Sequence, residues 1–236
     1  MSINIIYKNE NNVDSAEKEN SGVVCSLVVE INDIEERTTA IVESIIDTSW
    51  ISSLDAVDQV SISACSAKTI LKMVNVLKSR TDSELSEEAG EYIISSTAHE
   101  LLEKEFGHAL VPLAEIIKER LSGNGGFDFH SESNSKLITF GEAKYSGKTN
   151  PHGKAVNQIL DFIQEEKDDA ELSLIKLFVS KDAVKNAVNN QKSYAAAFSI
   201  NSDNFTTIIK NAEKNRLSEI LKLTDEYYVV GVKISD

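Results

Sequence analysis

The chain has little of several things, and each shortage narrows what it can be. It has only 2 cysteines in 236 residues, Cys25 and Cys65, set in apolar or small-residue segments with no CxxC pattern and no histidine close by. A disulfide framework is excluded as an organising principle, and a zinc site has no ligand set to draw on; both cysteines are expected as buried, reduced thiols. Apolar runs stay well short of the ~20 residues that a membrane helix needs. The opening "MSINIIYKNENN" lacks the basic start and apolar centre of a signal peptide, which sets the expectation of a cytoplasmic protein. There is no internal repeat, no low-complexity tract and no Gly-rich phosphate loop, since "GNGG" lacks the Lys-Ser/Thr of a nucleotide-binding turn. The single tryptophan, Trp50, has no neighbours that suggest a base-stacking platform and is expected in the core or an interface.

Positive charge is also scarce. Lys and Arg number 24 against 38 Asp and Glu, a formal net charge of −14. Phosphate contacts need clustered Lys and Arg, so a chain this acidic is not expected to hold nucleic acid tightly by itself. If it acts on a nucleic acid, a partner delivers the strand.

What is present is a mixture of strand and helix patterns. Residues 8–22 are polar and read as a loop or arm. "VVCSLVVEI" (23–31) is a β-branched run and reads as a buried strand. Residues 34–77 read as helical, with loops at "DTSWISSLDAVD" and "SISACS". A second section opens at "TDSELSEEAGEYIISSTAHELLEKEFG", where Thr81 and Glu84 have capping-box spacing and Gly107 is a plausible stop. "VPLAEIIKERLSGNGG" reads as a further helix. "FDFH", "SESNS" and "KLITFGEAKYS" together predict a β-hairpin, which "GKTNPHG" breaks. "KAVNQILDFIQEEKDDA" is an amphipathic helix and "LSLIKLFVS" a strand. A helix, the strand "AAAFSI", a helix over 205–222 and the final strand "YYVVGVKI" complete the order. The fold class is α/β of the mixed α+β kind, a mixed central sheet flanked by helices. Residues 1–80 carry no catalytic candidates and form an N-terminal α/β section, expected to dock or regulate; residues 81–236 form the second section.

Within "LITFGEAKYS" (137–146), period-two geometry puts Ile138, Phe140, Glu142 and Lys144 on one face. An acid and a base therefore emerge where an apolar face runs out. Asp128, in "GGFDFH", lies on the preceding arm of the hairpin, within reach of the same metal ion. Metal-assisted phosphodiester cleavage needs converging carboxylates for a hard cation such as Mg²⁺ or Mn²⁺, and a group to handle water and offset charge on phosphate. A second E-x-K, Glu165 and Lys167, lies in a helical charge run and reads as a solvated face.

Asp128 followed by Glu142-Ala143-Lys144 resembles the D…(D/E)xK motif of the PD-(D/E)xK nuclease superfamily, over roughly residues 81–180. The resemblance implies a restriction-endonuclease-like core (helix, three strands, helix, strand) and a Mg²⁺- or Mn²⁺-dependent nuclease. It implies that Asp128, Glu142 and the main chain of Ala143 ligate the metal, while Lys144 handles water and phosphate. It adds Glu91 of "AGEYIIS" as a helix-borne acid, with Glu88 one turn earlier as rival, and Gln158 of "AVNQILDF" on the helix after the strand. The order of these motifs is also similar to the nuclease subunits of Hachiman antiphage defence systems, which implies DNA as substrate and a helicase or ATPase partner. His152 and Lys154 stand beside the strand end, where a phosphate contact competes with a solvated loop; His99 and His108 are expected as surface or helix-packing residues. A different class of function stays open: a non-catalytic acidic subunit on a degenerate nuclease fold, binding a partner protein.

Overall fold

A computed structural model describes residues 3–13, 22–79, 85–118 and 125–235. The chain begins with strands β1 (Ile3–Val13) and β2 (Gly22–Ile31), continues through helices α1 (Ile34–Ile46), α2 (Ala56–Lys78) and α3 (Glu87–Phe106), then the short β3 (Ala109–Leu110) and one-turn α4 (Ala114–Ile117). The hairpin β4 (Phe129–Glu132) and β5 (Ile138–Lys144) follows, then α5 (His152–Gln164), α6 (Lys167–Ile175), α7 (Lys181–Val188), β6 (Lys192–Ile200), α8 (Phe205–Lys214), α9 (Leu217–Leu223) and β7 (Glu226–Ile234).

Among the described residues, seven strands form one mixed sheet in the order β1-β2-β7-β6-β5-β4-β3. Its centre, β2-β7-β6-β5, is parallel, and antiparallel pairs close both flanks. Parallel strands carry helices on both faces and so read as continuous apolar runs; every position of β6 is buried. Its Ala195-Ala196-Ala197 run keeps the sheet thin where helices lie above and below. On one face Ile138, Phe140, Tyr194 and Phe198 pack with Ala155, Val156 and Ile159 of α5. On the other, Ala143, Ala195 and Ala197 pack with Ile93, Ile94 and Ala98 of α3, backed by Met73 and Leu77 of α2. The boundary at residue 80 does not interrupt the sheet, because β2 pairs in register with β7 from Val23↔Glu226 to Ile31↔Ile234.

Several local expectations are corrected. Residues 8–13 are not an arm; they lie in β1, whose polar alternation is that of an edge strand paired from Ile3↔Ile31 to Val13↔Gly22. "SISACS" does not break the helix, since Ile62, Met73 and Leu77 give α2 one continuous buried stripe that overrides the weak propensity of serine. Among the described residues α2 is consequently the one helix long and apolar enough, by length and composition, to cross a membrane. "LSLIKLFVS" is not a strand. It is the end of α6 and two turns, and Ile175 reaches the core there. Its apolar spacing satisfies both periods, and β6 already has β5 and β7 as neighbours. The helix over 205–222 is two helices, broken at Asn215–Arg216, where Arg216 takes φ 50°.

"VPLAEIIKER" yields only the single turn of α4 before the described residues stop at Lys118. The Thr81/Glu84 pair lies outside the described residues; α3 is capped by Ser86, whose hydroxyl accepts the Ala89 N–H at 3.2 Å. Its other end is the expected one: Gly107 takes φ 72°, and its N–H and that of His108 close on Glu103 and Leu102.

Candidate active site at the carboxyl end of β5

The hairpin positions the first acid twice over. Asp128, just ahead of β4, donates its N–H to the Gly141 carbonyl at 2.8 Å, and its carboxylate Oδ2 accepts the Ala143 N–H at 2.8 Å. Both bonds lie on the β4-facing edge of β5, and the Ala143 carbonyl points along that edge too, because the N–H and C=O of one strand residue share a side. Gly141 is required by packing: it stands opposite Phe129, and a Cβ there would overlap the Phe129 ring. Gly90 plays the same part on α3, where a Cβ would overlap the ring of Tyr145. A glycine thus precedes each of Glu91 and Glu142, and the close approach it allows brings α3 down onto the end of β5.

Lys144 joins the group together. Its Nζ donates to Glu142 Oε1 at 2.7 Å and to Glu91 Oε1 at 3.4 Å. Glu142 is 1% exposed, and its second oxygen, Oε2, is buried with no hydrogen-bond partner among the described residues. Burial, and then the neighbouring Asp128, raise the Glu142 carboxyl well above the usual carboxylate range despite Lys144. Burial also raises Glu91, partly offset by Lys144. Burial opposes the charge of Lys144, but Glu142, Asp128 and Glu91 overcome it and raise the ammonium to about 12. Three acids around one base leave an excess of negative charge in a half-dry site.

Among the described residues no group of three or more His, Cys, Asp and Glu side chains is arranged to hold a metal ion as it stands; Lys144 bridges Glu142 and Glu91 instead. The donor set nonetheless fits a hard divalent cation. An orphaned carboxylate oxygen beside a second carboxylate, with acid pKa values raised by burial first and by neighbouring acids second, is what such a cation relieves.

The remaining candidates fall as follows. Glu88 faces away: its Oε1 pairs with Lys72 at 2.6 Å and accepts the Tyr92 hydroxyl, so Glu91 is the helix-borne acid at this site. Gln158 is half-buried on α5, the helix over the Ile138/Phe140 face, and makes no side-chain hydrogen bond to the described residues. His152 is no loop residue; it opens α5, half-buried, with its ring 5.6 Å from Phe198, the residue opposite Lys144. Lys154 is exposed. His99 and His108 are buried and bonded to the His130 carbonyl and the Ser131 hydroxyl. Trp50, half-buried, packs edge-on against Phe178 at the margin of the core.

Sequence reasoning missed the support behind Asp128. Glu171 of α6 accepts His130 Nε2 at 2.6 Å, Lys118 Nζ at 2.5 Å and the Phe127 N–H at 3.2 Å. That network ties down Phe127, the residue before Asp128, and His130, two residues after it. The histidine in "FDFH" was its only visible sign. Comparison with protein-family models, with curated proteins and with solved structures returns no match.

Proposed function

We propose that this chain is a metal-dependent nuclease of the PD-(D/E)xK type, acting on DNA delivered by a helicase or ATPase partner in an antiphage defence complex. One observation carries the reading: Asp128, Glu142, Lys144 and Glu91, from a hairpin and a helix, converge at the carboxyl end of a parallel strand, with one buried carboxylate oxygen left unpartnered. The carboxyl ends of strands are where open α/β sheets place their sites. The described order is α3, β3, α4, β4-β5, α5-α6-α7, β6; with the single turn of α4 and the added helices α6 and α7 set aside it is a helix, three strands, a helix and a strand, which supports the same reading.

Asp128, Glu142 and the Ala143 carbonyl would hold Mg²⁺ or Mn²⁺, which when bound supplies Lewis-acid polarisation of a phosphoryl oxygen. Asp128 is already aimed by the Ala143 N–H, so it needs no reorganisation. Lys144, raised to about 12, stays protonated at neutral pH; it therefore acts as a donor that orients water and offsets charge on phosphate, not as the base that takes water's proton. Glu91 holds that ammonium over the site. The net charge of −14 keeps free DNA away, which makes delivery by a partner physically sensible.

The test is Mn²⁺ calorimetry on the full chain, beside DNA cleavage with Mg²⁺ or EDTA at a salt concentration that screens the chain's negative charge. Wild type should bind Mn²⁺ and cleave in an EDTA-sensitive way, and Glu142→Gln should lose both. Equal Mn²⁺ binding and no Mg²⁺-dependent cleavage in either protein would leave a salt-bridged acidic subunit that binds a partner protein.

A further inference from the structure

The candidate site lies between helices of unlike charge, α3 on one face of the sheet and α5 on the other. The first turns of α3 carry Glu87, Glu88 and Glu91, with Lys72 reaching in from α2 to Glu88 alone. On the α5 side the chain runs through residues 143–160 without one acid, although Asp and Glu make up 38 of its 236 residues, and the same stretch holds Lys144, Lys148 and Lys154. Lys148 and Lys154 are exposed, and their side chains form no ion pair among the described residues.

That basic side is rigid and adjoins the metal-binding acids. The loop 146–150 is pinned to the end of β6: Ser199 Oγ accepts the Ser146 N–H at 2.9 Å, and Asn201 Nδ2 donates to the Ser146 and Thr149 carbonyls at 2.6 and 2.7 Å. Ser146 Oγ accepts the N–H groups of Lys148 and Thr149 in turn, so Lys148 stands on fixed backbone. On α5, Lys154, Gln158 and Phe162 form one i, i+4 row. Phe162 ends that row with its ring 5.2 Å from the ring of Phe127, the residue before Asp128. The row therefore runs along the flank of α5 that overlooks Asp128.

We propose that this side is the track of the nucleic-acid backbone, with phosphates next to the scissile one resting on Lys148 and Lys154 and the strand kept off α3, whose acids outnumber its cations. The proposal rests on the nuclease reading and says where that substrate lies. Further across the sheet the cation is already engaged, since Lys233 pairs with Glu30 and Asp203, so the track stops short of β7. Phosphate contacts fix position and carry no sequence information, so the track accepts any sequence. The net charge of −14 repels DNA from afar, but two lysines within about 10 Å of a phosphate hold a strand once it has been delivered.

The test is fluorescence anisotropy of the full chain with a labelled, phosphorothioate-linked oligodeoxynucleotide of about four residues, which resists cleavage. It is run with Mg²⁺ and with EDTA at about 0.1 M salt, where charges more than about 10 Å apart are largely screened. Lys148→Glu with Lys154→Glu should weaken binding about tenfold or more. Lys181→Glu with Lys185→Glu changes the net charge equally, but on α7 at the other end of the sheet, where Asn186 donates to the Lys136 carbonyl at the hairpin turn; affinity should stay within about twofold of wild type. All four lysines are exposed, so neither double variant should move the thermal midpoint. Affinity indifferent to the first double variant, equal losses in both, or no binding by wild type in either condition would each overturn the track. The nuclease reading is judged apart, by Mn²⁺ binding and cleavage. A chain that cleaves but ignores Lys148 and Lys154 keeps the reaction and loses the track; one that binds no metal yet loses the oligonucleotide only in the first double variant keeps the track and loses the reaction.

Discussion

Two lysines ringed by acids, Lys192 buried and Lys144 half-buried, stand at opposite ends of the sheet's parallel core and are built to opposite plans. Lys192, at the amino end of β6, donates to Asp168 at 2.6 Å and to Asp169 at 2.7 Å, and Tyr194 donates to the same Asp168 oxygen at 2.8 Å. Burial, with Asp168 beside it, raises the Tyr194 hydroxyl, so it stays a donor. Lys144, at the carboxyl end of β5, faces three acids, leaves a buried oxygen unpartnered and sits beside carboxyls raised above their ordinary range. The first cluster spends its charges on holding α6 against the sheet. The second leaves charge unresolved, and unresolved charge in a fold is more often the mark of a site than of a strut.

The largest expected effect falls on the structural cluster. Lys192→Ala removes the cation from Asp168, 3% exposed, and leaves an uncompensated buried charge; urea denaturation should show a loss of about 3–5 kcal/mol. Lys144→Ala should not behave this way. It removes a cation from a site that a metal ion can neutralise, so Mn²⁺ affinity should hold or rise while cleavage falls by roughly 10²–10³-fold. If Lys144→Ala destabilises the chain as much as Lys192→Ala and leaves cleavage intact, the two clusters are of one kind.

The comparison also shows what could be read from the chain. The Glu142/Lys144 pair was legible because period-two alternation and an acid on the preceding arm are both local patterns. The preference for Glu91 over Glu88 was not, because it depends on Lys72 reaching Glu88 from α2. Nor was the Lys192 cluster, whose acids lie 24 and 23 residues away at the end of a segment that reads as a helix, with a segment that reads as a strand in between. The sheet class followed from apolar periodicity; the strand order did not, since β2 joins β7 across nearly the whole chain. Loop closure over such distances leaves no trace in local spacing.

A smaller effect sharpens the contrast through pH. Glu142 is raised in the folded state, so the folded chain keeps a proton over a window in which the unfolded chain has released it. Its contribution to stability is therefore full below the ordinary carboxylate value and is lost as pH rises through the folded one. In EDTA, wild type should lose stability relative to Glu142→Gln as pH rises from about 4.5, the unfolded end of that window. Mn²⁺ affinity should climb over the same range as the proton leaves. A difference between the two proteins that does not change with pH would place Glu142 in the Lys192 category.

The smallest expected effect tests whether place or motif carries the chemistry. Glu165 and Lys167 repeat the spacing of Glu142 and Lys144, but not on a continuous helix: Glu165 caps α5, Glu166 takes φ 54°, and Lys167 opens α6. The two do pair, at 3.1 Å, which corrects the expectation that they face apart. Yet Glu165 is 60% exposed at its side chain, and Lys167 lies over the Phe162 ring at 4.4 Å. An exposed pair of this kind is worth roughly 0–1 kcal/mol. Glu165→Gln should change urea stability by no more than about 0.5 kcal/mol and leave cleavage and Mn²⁺ binding as in wild type. The same three-residue spelling then gives opposite outcomes, because one copy sits on a strand end beside a second acid, in a place too dry for its charge, and the other stands in water. A loss of cleavage in Glu165→Gln equal to that in Glu142→Gln would break the comparison, since burial and strand position would no longer separate an active pair from an idle one.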